Sequence, residues 1–228
     1  MNSGHESDHD RKRTLRRDLL EVRRSLPPDV VAATGEALAR RTLELAEFRT
    51  VTSGKIPEKT DESSGPATPS APAVPPTVAA YVSIGHEPST GPLLDALRAA
   101  GVRVLLPVLL PDNDLDWAEY EGAERLVRAG WGLLEPAGER LGLEAVTGAD
   151  VVLLPGLAVD GRGLRLGRGG GSYDRVLERL ERAGAAASLV VLLYDTEVLE
   201  EVPAEAHDRP VHAAVTPSGV HRFLTPQS

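Results

Sequence analysis

Residues 151–175 read VVLLPGLAVDGRGLRLGRGGGSYDR, and they indicate more about the architecture than any other segment. The segment begins with an apolar run, Val151–Leu154, that is typical of a buried strand and ends at a Pro-Gly turn. Glycines and arginines then alternate until a helical pattern begins at Ser172. Glycines let backbone amides approach a ligand, and guanidinium groups and a helix N-terminus favour phosphate or carboxylate oxygens. The segment therefore predicts an anion-binding loop between a strand and a helix.

Strand and helix patterns alternate on both sides of this loop. The strand candidates are residues 78–84, 102–106, 115–120, 151–154, 189–194 and 211–217. Helices are predicted between Thr90 and Gly101 and over 172–183. Strands separated by helices indicate a three-layer α/β fold, with a mostly parallel, Rossmann-like sheet flanked by helices. Ligands bind such sheets at the carboxyl ends of strands, where the segment GHEPST (85–90) and the glycine-rich loop both fall.

The N-terminal part of the chain predicts a helical pair that precedes this sheet. The two helices run over about residues 10–26 and 29–48, with a Pro-Pro pair between them. Residues 1–9 are expected to form a disordered tail. Residues 53–77 are rich in proline, serine and threonine, which predicts a flexible insertion. We therefore expect one domain, residues 10–228, that this insertion interrupts.

The composition excludes several classes of function. Acidic residues outnumber basic ones by 34 to 25, and the resulting net charge of −9 disfavours a nucleic-acid or membrane-surface partner. The chain has no cysteine, so thiol nucleophiles and cysteine-ligated metals are excluded. No apolar run approaches the roughly 18 residues of a membrane span, and the N-terminus lacks the apolar core of a signal peptide. We expect a monomeric protein of the cytoplasm.

The glycine-rich segment matches neither of two common nucleotide-binding motifs. No GxxxxGK[ST] sequence occurs, and Ser172 stands where a GxGxxG motif would have its third glycine. A plain flexible loop remains an alternative on glycine content alone. The preceding strand, the following helix and the intervening arginines favour a binding site.

The segment PGLAVDGRGLRLGRGGGSYDR closely resembles the signature of the 5-formyltetrahydrofolate cyclo-ligase family, also called methenyltetrahydrofolate synthetases. Four further segments resemble parts of that family in the family's order: KRTLR (12–16), VSIGHEPST (82–90), WGLLEP (131–136) and HDRPVHAAVTP (207–217). Together they span nearly the whole chain except the tail and the insertion. The chain departs from the family at Ser172, where a second tyrosine usually precedes Tyr173, and at Val159, where an aromatic residue is usual.

This resemblance implies an ATP- and Mg²⁺-dependent ligase that converts 5-formyltetrahydrofolate to 5,10-methenyltetrahydrofolate and releases ADP and phosphate. ATP would phosphorylate the formyl oxygen, N10 would attack, and phosphate would leave without any protein nucleophile. The implied partners are small molecules. Two alternatives stay open: a non-catalytic 5-formyltetrahydrofolate-binding protein, and a related ATP-dependent enzyme acting on another pterin- or thiamine-like heterocycle, which Ser172 keeps under consideration.

The resemblance also implies roles for individual residues. Arg168 is the expected catalytic residue, placed to stabilise the phosphoryl group in transfer. The expected ATP-binding residues are Lys12, Arg16, Arg165, Leu166, Gly167, Arg168, Gly169, Gly170, Gly171, Ser172 and Tyr173. The expected substrate-binding residues are Val82, Glu87 and Tyr173, and the expected Mg²⁺ ligands are Asp174 and Asp208. Ordinary structural roles remain the alternatives: an exposed loop carboxylate for Glu87, a packing tyrosine for Tyr173, a helix-start residue for Asp174 and a surface acid for Asp208.

Overall fold

A central sheet organises the molecule, which is known from a computed structural model that describes residues 7–48, 75–205 and 208–223. In these ranges the sheet has seven strands in the order β12-β11-β9-β6-β1-β2-β3. The five inner strands are parallel, whereas β12 and β3 pair antiparallel at the two edges. Their bounds are β1 Thr77–Ala79, β2 Arg103–Leu109, β3 Leu115–Glu119, β6 Val151–Pro155, β9 Ser188–Leu192, β11 Ala213–Val215 and β12 Val220–Arg222. The predicted mostly parallel sheet is confirmed; β12 had no counterpart among the predicted strands.

Helices cover both faces of this sheet. The two N-terminal helices are α1 (Asp8–Arg24) and α2 (Pro28–Leu43), and the later ones are α3 (Gly91–Ala99) and α4 (Ser172–Arg182). Side chains of α2 and α3 join one apolar cluster, and side chains of α4 join the cluster on the opposite face. Val151 and Leu153 point to the first cluster, whereas Val152 and Leu154 point to the second, because successive strand residues face opposite sides. This burial on both faces explains the continuous apolar run and confirms the three-layer fold.

Three predicted boundaries in the N-terminal part are wrong. Helix α1 begins at Asp8, where the Ser7 hydroxyl oxygen accepts a hydrogen bond from the Asp10 amide, so the predicted tail extends too far; residues 1–6 lie outside the described ranges. Helix α2 ends at Leu43, and the chain is helical again only at 46–48. The predicted insertion extends too far as well, because Thr77 already belongs to β1. Its amide donates to Asp150 Oδ2 at 2.8 Å. Residues 53–74 of that insertion lie outside the described ranges.

A second, smaller sheet corrects the prediction of one long glycine-rich loop. It consists of β7 (Ala158–Asp160), β8 (Arg165–Leu166) and β10 (Val198–Leu199). Strands β7 and β8 form a hairpin whose turn contains Gly163, at φ +78°, and a Cβ there would lie 2.7 Å from the Val211 carbonyl oxygen. The first half of the segment is therefore a packed hairpin. A loop remains only between β8 and α4.

The segment WGLLEP belongs to a third, two-stranded sheet. Strands β4 (Leu126–Arg128) and β5 (Leu134–Pro136) pair antiparallel and carry Trp131 at their turn. Within the described ranges, we find no helix whose length and hydropathy would suit a membrane crossing.

Candidate active site

A cleft of about 240 Å³ lies at the carboxyl ends of β1, β2 and β6. Residues that follow these strands form one wall, and the loop between β8 and α4 forms another. The lining residues are Tyr81, Val82, Ile84, Glu87, Pro107, Leu109, Leu115, Leu133, Leu134, Glu135, Pro155, Gly156, Arg165, Gly167–Tyr173 and Asp174. The cleft thus combines a largely apolar wall with a glycine-rich, cationic one at the expected end of the parallel sheet.

The loop formed by Gly167–Gly171, the glycine loop, bends sharply before it enters α4. Gly169 and Gly171 have φ values of +91° and +76°, which side-chain-bearing residues rarely adopt. Arg16 of α1 packs against this loop, because its Nε donates to the Gly167 carbonyl oxygen at 2.9 Å. The loop therefore presents backbone amides and the N-terminus of α4 to the cleft, an arrangement that suits anions.

Arg165 lies almost fully buried beneath this loop. Its Nη1 donates to the Pro155 carbonyl oxygen at 2.9 Å, and its Nη2 contacts Asp174 Oδ1 at 3.1 Å. Burial lowers the pKa of Arg165, while the charges of Asp174 and Asp208 oppose that shift. Asp208 binds Lys12 of α1, one helical turn before Arg16, which contacts the loop, so Asp208 lies on the loop's side of the molecule.

Glu87 and Arg168 meet across the cleft. Arg168 Nε lies 3.1 Å from Glu87 Oε1, and the Ile84 amide donates to Glu87 Oε2 at 2.9 Å. The Glu87 side chain is only 5% exposed, so the structure contradicts the alternative of an exposed loop carboxylate. Burial raises the pKa of Glu87, although the Ile84 amide and the Arg168 charge oppose the rise.

Lys12 binds two carboxylates and is not among the residues that line the cleft. Its Nζ lies 2.7 Å from Glu205 Oε2 and 2.6 Å from Asp208 Oδ2, and its side chain is buried. Burial would lower the pKa of Lys12, but the hydrogen bonds to the two carboxylates outweigh it and raise the pKa. This cluster connects the first turns of α1 to the segment before β11.

Comparisons with known proteins identify the family. Residues 73–217 match the model of the 5-formyltetrahydrofolate cyclo-ligase family. The chain belongs to this family. Over 146 residues it is 45% identical to the 5-formyltetrahydrofolate cyclo-ligase of Mycolicibacterium smegmatis, covering 62% of this chain and 73% of the relative. The corresponding protein of Escherichia coli is 36% identical over 146 residues, covering 63% and 79%.

Solved structures agree with this assignment. The 5,10-methenyltetrahydrofolate synthetase of Aquifex aeolicus superposes with a TM-score of 0.72 at 26% identity, covering 95% of both chains. A synthetase from Mycoplasma pneumoniae shares the fold, with a TM-score of 0.62 at 16% identity, covering 90% of this chain and 98% of that one. The cyclo-ligase family uses ATP as a co-substrate.

The structure brings most of the residues predicted for a cyclo-ligase site to this one cleft. Those on its wall are Val82, Glu87, Arg165, Gly167, Arg168, Gly169, Gly170, Gly171, Ser172, Tyr173 and Asp174. Arg16 lies behind the glycine loop, and Lys12 and Asp208 bind each other nearby. Leu166 does not line the cleft: its side chain packs into a small apolar cluster, and its carbonyl oxygen accepts a hydrogen bond from the Leu157 amide at 2.7 Å. Their individual roles stay predictions.

Tyr173 and His212 differ in their hydrogen bonding. The Tyr173 hydroxyl is buried, and none of the described residues hydrogen-bonds it; burial and the nearby Glu87 charge raise its pKa. His212 accepts a hydrogen bond from the Leu189 amide at Nδ1, with a distance of 2.8 Å. His207 lies outside the described residues.

Sequence reasoning missed Arg23, which is 1% exposed. Its Nη2 donates to the carbonyl oxygen of the cleft residue Gly156 at 2.6 Å, and its guanidinium binds Glu197 at 2.6 and 2.8 Å. The hydroxyl of Tyr194, whose ring lies under Arg23, donates to the His86 carbonyl oxygen next to Glu87. In the sequence Arg23 is one of many arginines on a basic helix face, so no signal separated it from the solvated ones.

Proposed function

We propose that this cleft cyclises 5-formyltetrahydrofolate to 5,10-methenyltetrahydrofolate, with ATP converted to ADP and phosphate. One structural observation supports the proposal in addition to family membership. The buried carboxylate of Glu87 and the glycine loop's Arg168 lie 3.1 Å apart, so a group for a pterin and a group for a phosphate share one cleft. The substrates are small molecules, and we place the reaction in the cytoplasm without a nucleic-acid or membrane partner.

The apolar wall and Glu87 form the folate side of the proposed site. A carboxylate accepts hydrogen bonds from the N–H edge of a pterin, and burial strengthens such bonds. Val82 and the Tyr173 ring would contact the flat pterin. Leu109 and Leu133 are among the apolar residues that line the cleft, and they suit the uncharged part of a folate.

The glycine loop and its cations form the ATP side. The amides of Gly167–Gly171 and the start of α4 would bind phosphate oxygens, with Arg165, Arg168 and Arg16 supplying positive charge. The formyl oxygen attacks the γ-phosphorus, and the bond to ADP breaks. N10 then attacks the formyl carbon and loses its proton, and the carbon–oxygen bond breaks as phosphate leaves. The protein's contribution is to align both substrates and to stabilise charge on the phosphoryl oxygens.

The carboxylates near the loop fit a magnesium ion. Asp174 lies on the wall of the cleft with its side chain 53% exposed, and Asp208 lies near the loop, bound to Lys12. Hard carboxylate oxygens with water and phosphate oxygens are the ligands that Mg²⁺ prefers. Asp174 and Asp208 would therefore hold the ion, which would neutralise charge on the phosphates. The described residues contain no cluster of three or more metal-ligating side chains, so much of the coordination would come from water and nucleotide.

The deciding experiment is turnover by the purified chain. We expect the absorbance of the methenyl product to appear when 5-formyltetrahydrofolate, ATP and Mg²⁺ are all present, and not when ATP is omitted. Binding of 5-formyltetrahydrofolate without product would favour the non-catalytic binding protein. Failure to bind it would favour a related enzyme for another heterocycle, for which Ser172 remains the motivating departure.

A further inference from the structure

Glu87 and Arg168 bind each other in the structure, although the proposed function uses them on different substrates. The Glu87 carboxylate is held by the Ile84 amide at 2.9 Å and by Arg168 at 3.1 Å. Its side chain is 5% exposed, whereas that of Arg168 is 43% exposed. The carboxylate is therefore fixed in the wall, and the half-exposed arginine is the partner that can move.

We infer that Glu87 is also a positioning residue for ATP, because it retains Arg168 until the pterin takes its place. This inference rests on the proposed function. Phosphate oxygens and the carboxylate compete for one guanidinium, while the pterin's N–H groups and Arg168 compete for one carboxylate. A bound folate thus releases the arginine toward the phosphates, and by thermodynamic linkage a bound nucleotide tightens the folate equally.

The burial of Glu87 determines when Arg168 is released from it. A buried carboxylate without a partner is strongly unfavourable, so Arg168 leaves only when other donors replace it. The N–H edge of a pterin supplies those donors in one rigid group, whereas water that replaced Arg168 would itself have to be ordered against the carboxylate. ATP that arrives alone therefore meets an arginine that is already occupied, which protects its γ-phosphate from hydrolysis before the folate is present.

The test is the affinity of Glu87→Gln for a non-hydrolysable ATP analogue with Mg²⁺, measured by calorimetry without folate. A glutamine still accepts the Ile84 amide but holds no cation by charge. We expect the dissociation constant of the analogue to fall about threefold to fivefold, the size of a partly exposed ion pair. An unchanged or weaker affinity would mean that Glu87 does not withhold Arg168, and would overturn the inference.

A matched variant controls for the loss of one negative charge near the cleft. Glu178 is exposed on α4, one helical turn beyond the cleft residue Asp174, and does not line the cleft. Glu178→Gln should leave the analogue's dissociation constant unchanged. If it tightens the analogue as much as Glu87→Gln, the effect is general charge and the inference is wrong.

Wild-type protein supplies a measurement that needs no variant. Saturating 5-formyltetrahydrofolate should tighten the analogue by a similar factor, and absence of that coupling would also overturn the inference. Turnover on the same preparation separates the two hypotheses. A wild type that forms methenyl product but shows neither effect disproves the exchange alone, whereas a wild type without product disproves the proposed function.

Discussion

Arg168 is the residue whose removal should separate chemistry from folate binding. Its guanidinium is half-exposed at the mouth of the glycine loop, where it can reach phosphoryl oxygens. We expect Arg168→Ala to lower kcat by about 10²–10³-fold, the usual effect of deleting one preorganised charge donor in the transition state. Folate affinity should be retained or rise, because Glu87 then loses the cation that competes with the pterin for its carboxylate. Single-turnover kinetics and folate binding by fluorescence measure the two quantities separately.

Arg168→Lys is the matched control for this prediction. It keeps the charge but not the planar fork of donors, so kcat should lie between the wild type and Arg168→Ala. Turnover by Arg168→Ala close to that of the wild type would show that the arginine is not catalytic.

Individual site residues were predictable from the sequence where a backbone motif fixes them. One short segment from β8 to the first turn of α4 contains the glycine loop, its arginines and Tyr173. Their position on one wall of the cleft therefore follows from their order in the sequence. The partners of these side chains were not predictable. Nothing in the sequence pairs Lys12 with Asp208, 196 positions away, or Glu87 with Arg168, because such contacts depend on how distant elements pack.

Helix α1 is attached to the domain by buried cations, and this leads to a stability prediction. Its buried side chains are Lys12 and Arg23, while its leucines are only partly buried against a small apolar cluster. Removing Arg23 would leave Glu197, whose side chain is 3% exposed, without its cation. We expect Arg23→Ala to lower the free energy of unfolding by about 3–5 kcal/mol, measured by urea denaturation.

A double variant tests whether that loss comes from the unpaired charge. Arg23→Met with Glu197→Gln removes both charges and keeps an acceptor for the Tyr194 amide, which Glu197 binds at 3.0 Å. Its stability should return to within about 2 kcal/mol of the wild type. A double variant as unstable as Arg23→Ala would instead point to lost packing at this position. Hydrogen exchange of the α1 backbone amides would then show whether the helix has detached from the domain.

The elements themselves were predicted with uneven success, for physical reasons. Buried parallel strands such as β6 have continuous apolar runs, and α4 has a clear apolar stripe, so both were found within about one residue. The hairpin β7–β8 was missed because its strands are three and two residues long and their glycine-rich turn looks like a ligand loop. Helix α2 was overextended because its apolar spacing continues through Leu45 and Phe48, which are buried after the helix ends.

The oligomeric state of the molecule depends on whether its sheet edges and its exposed apolar side chains can pair with a second copy. Beyond β3, the Leu141 amide donates to the Trp117 carbonyl oxygen at 2.8 Å and Arg140 bridges Ala118, so this edge is already occupied. The other edge, β12, is three residues long, too short to template a stable strand pairing. A net charge of −9 adds repulsion between copies.

We therefore expect a monomer of 24.2 kDa by light scattering at micromolar concentration, with and without substrates. The feature that argues most against this is the β4–β5 hairpin, where Trp131 is 93% exposed and Val127 is 49% exposed. These side chains belong to a hairpin of two three-residue strands, whereas a stable dimer needs a large contiguous apolar surface. A concentration-dependent mass near twice the monomer would contradict the prediction. In that case Trp131→Ser restoring the monomer would assign the contact to the hairpin, whereas Val220→Lys restoring it would assign the contact to the β12 edge.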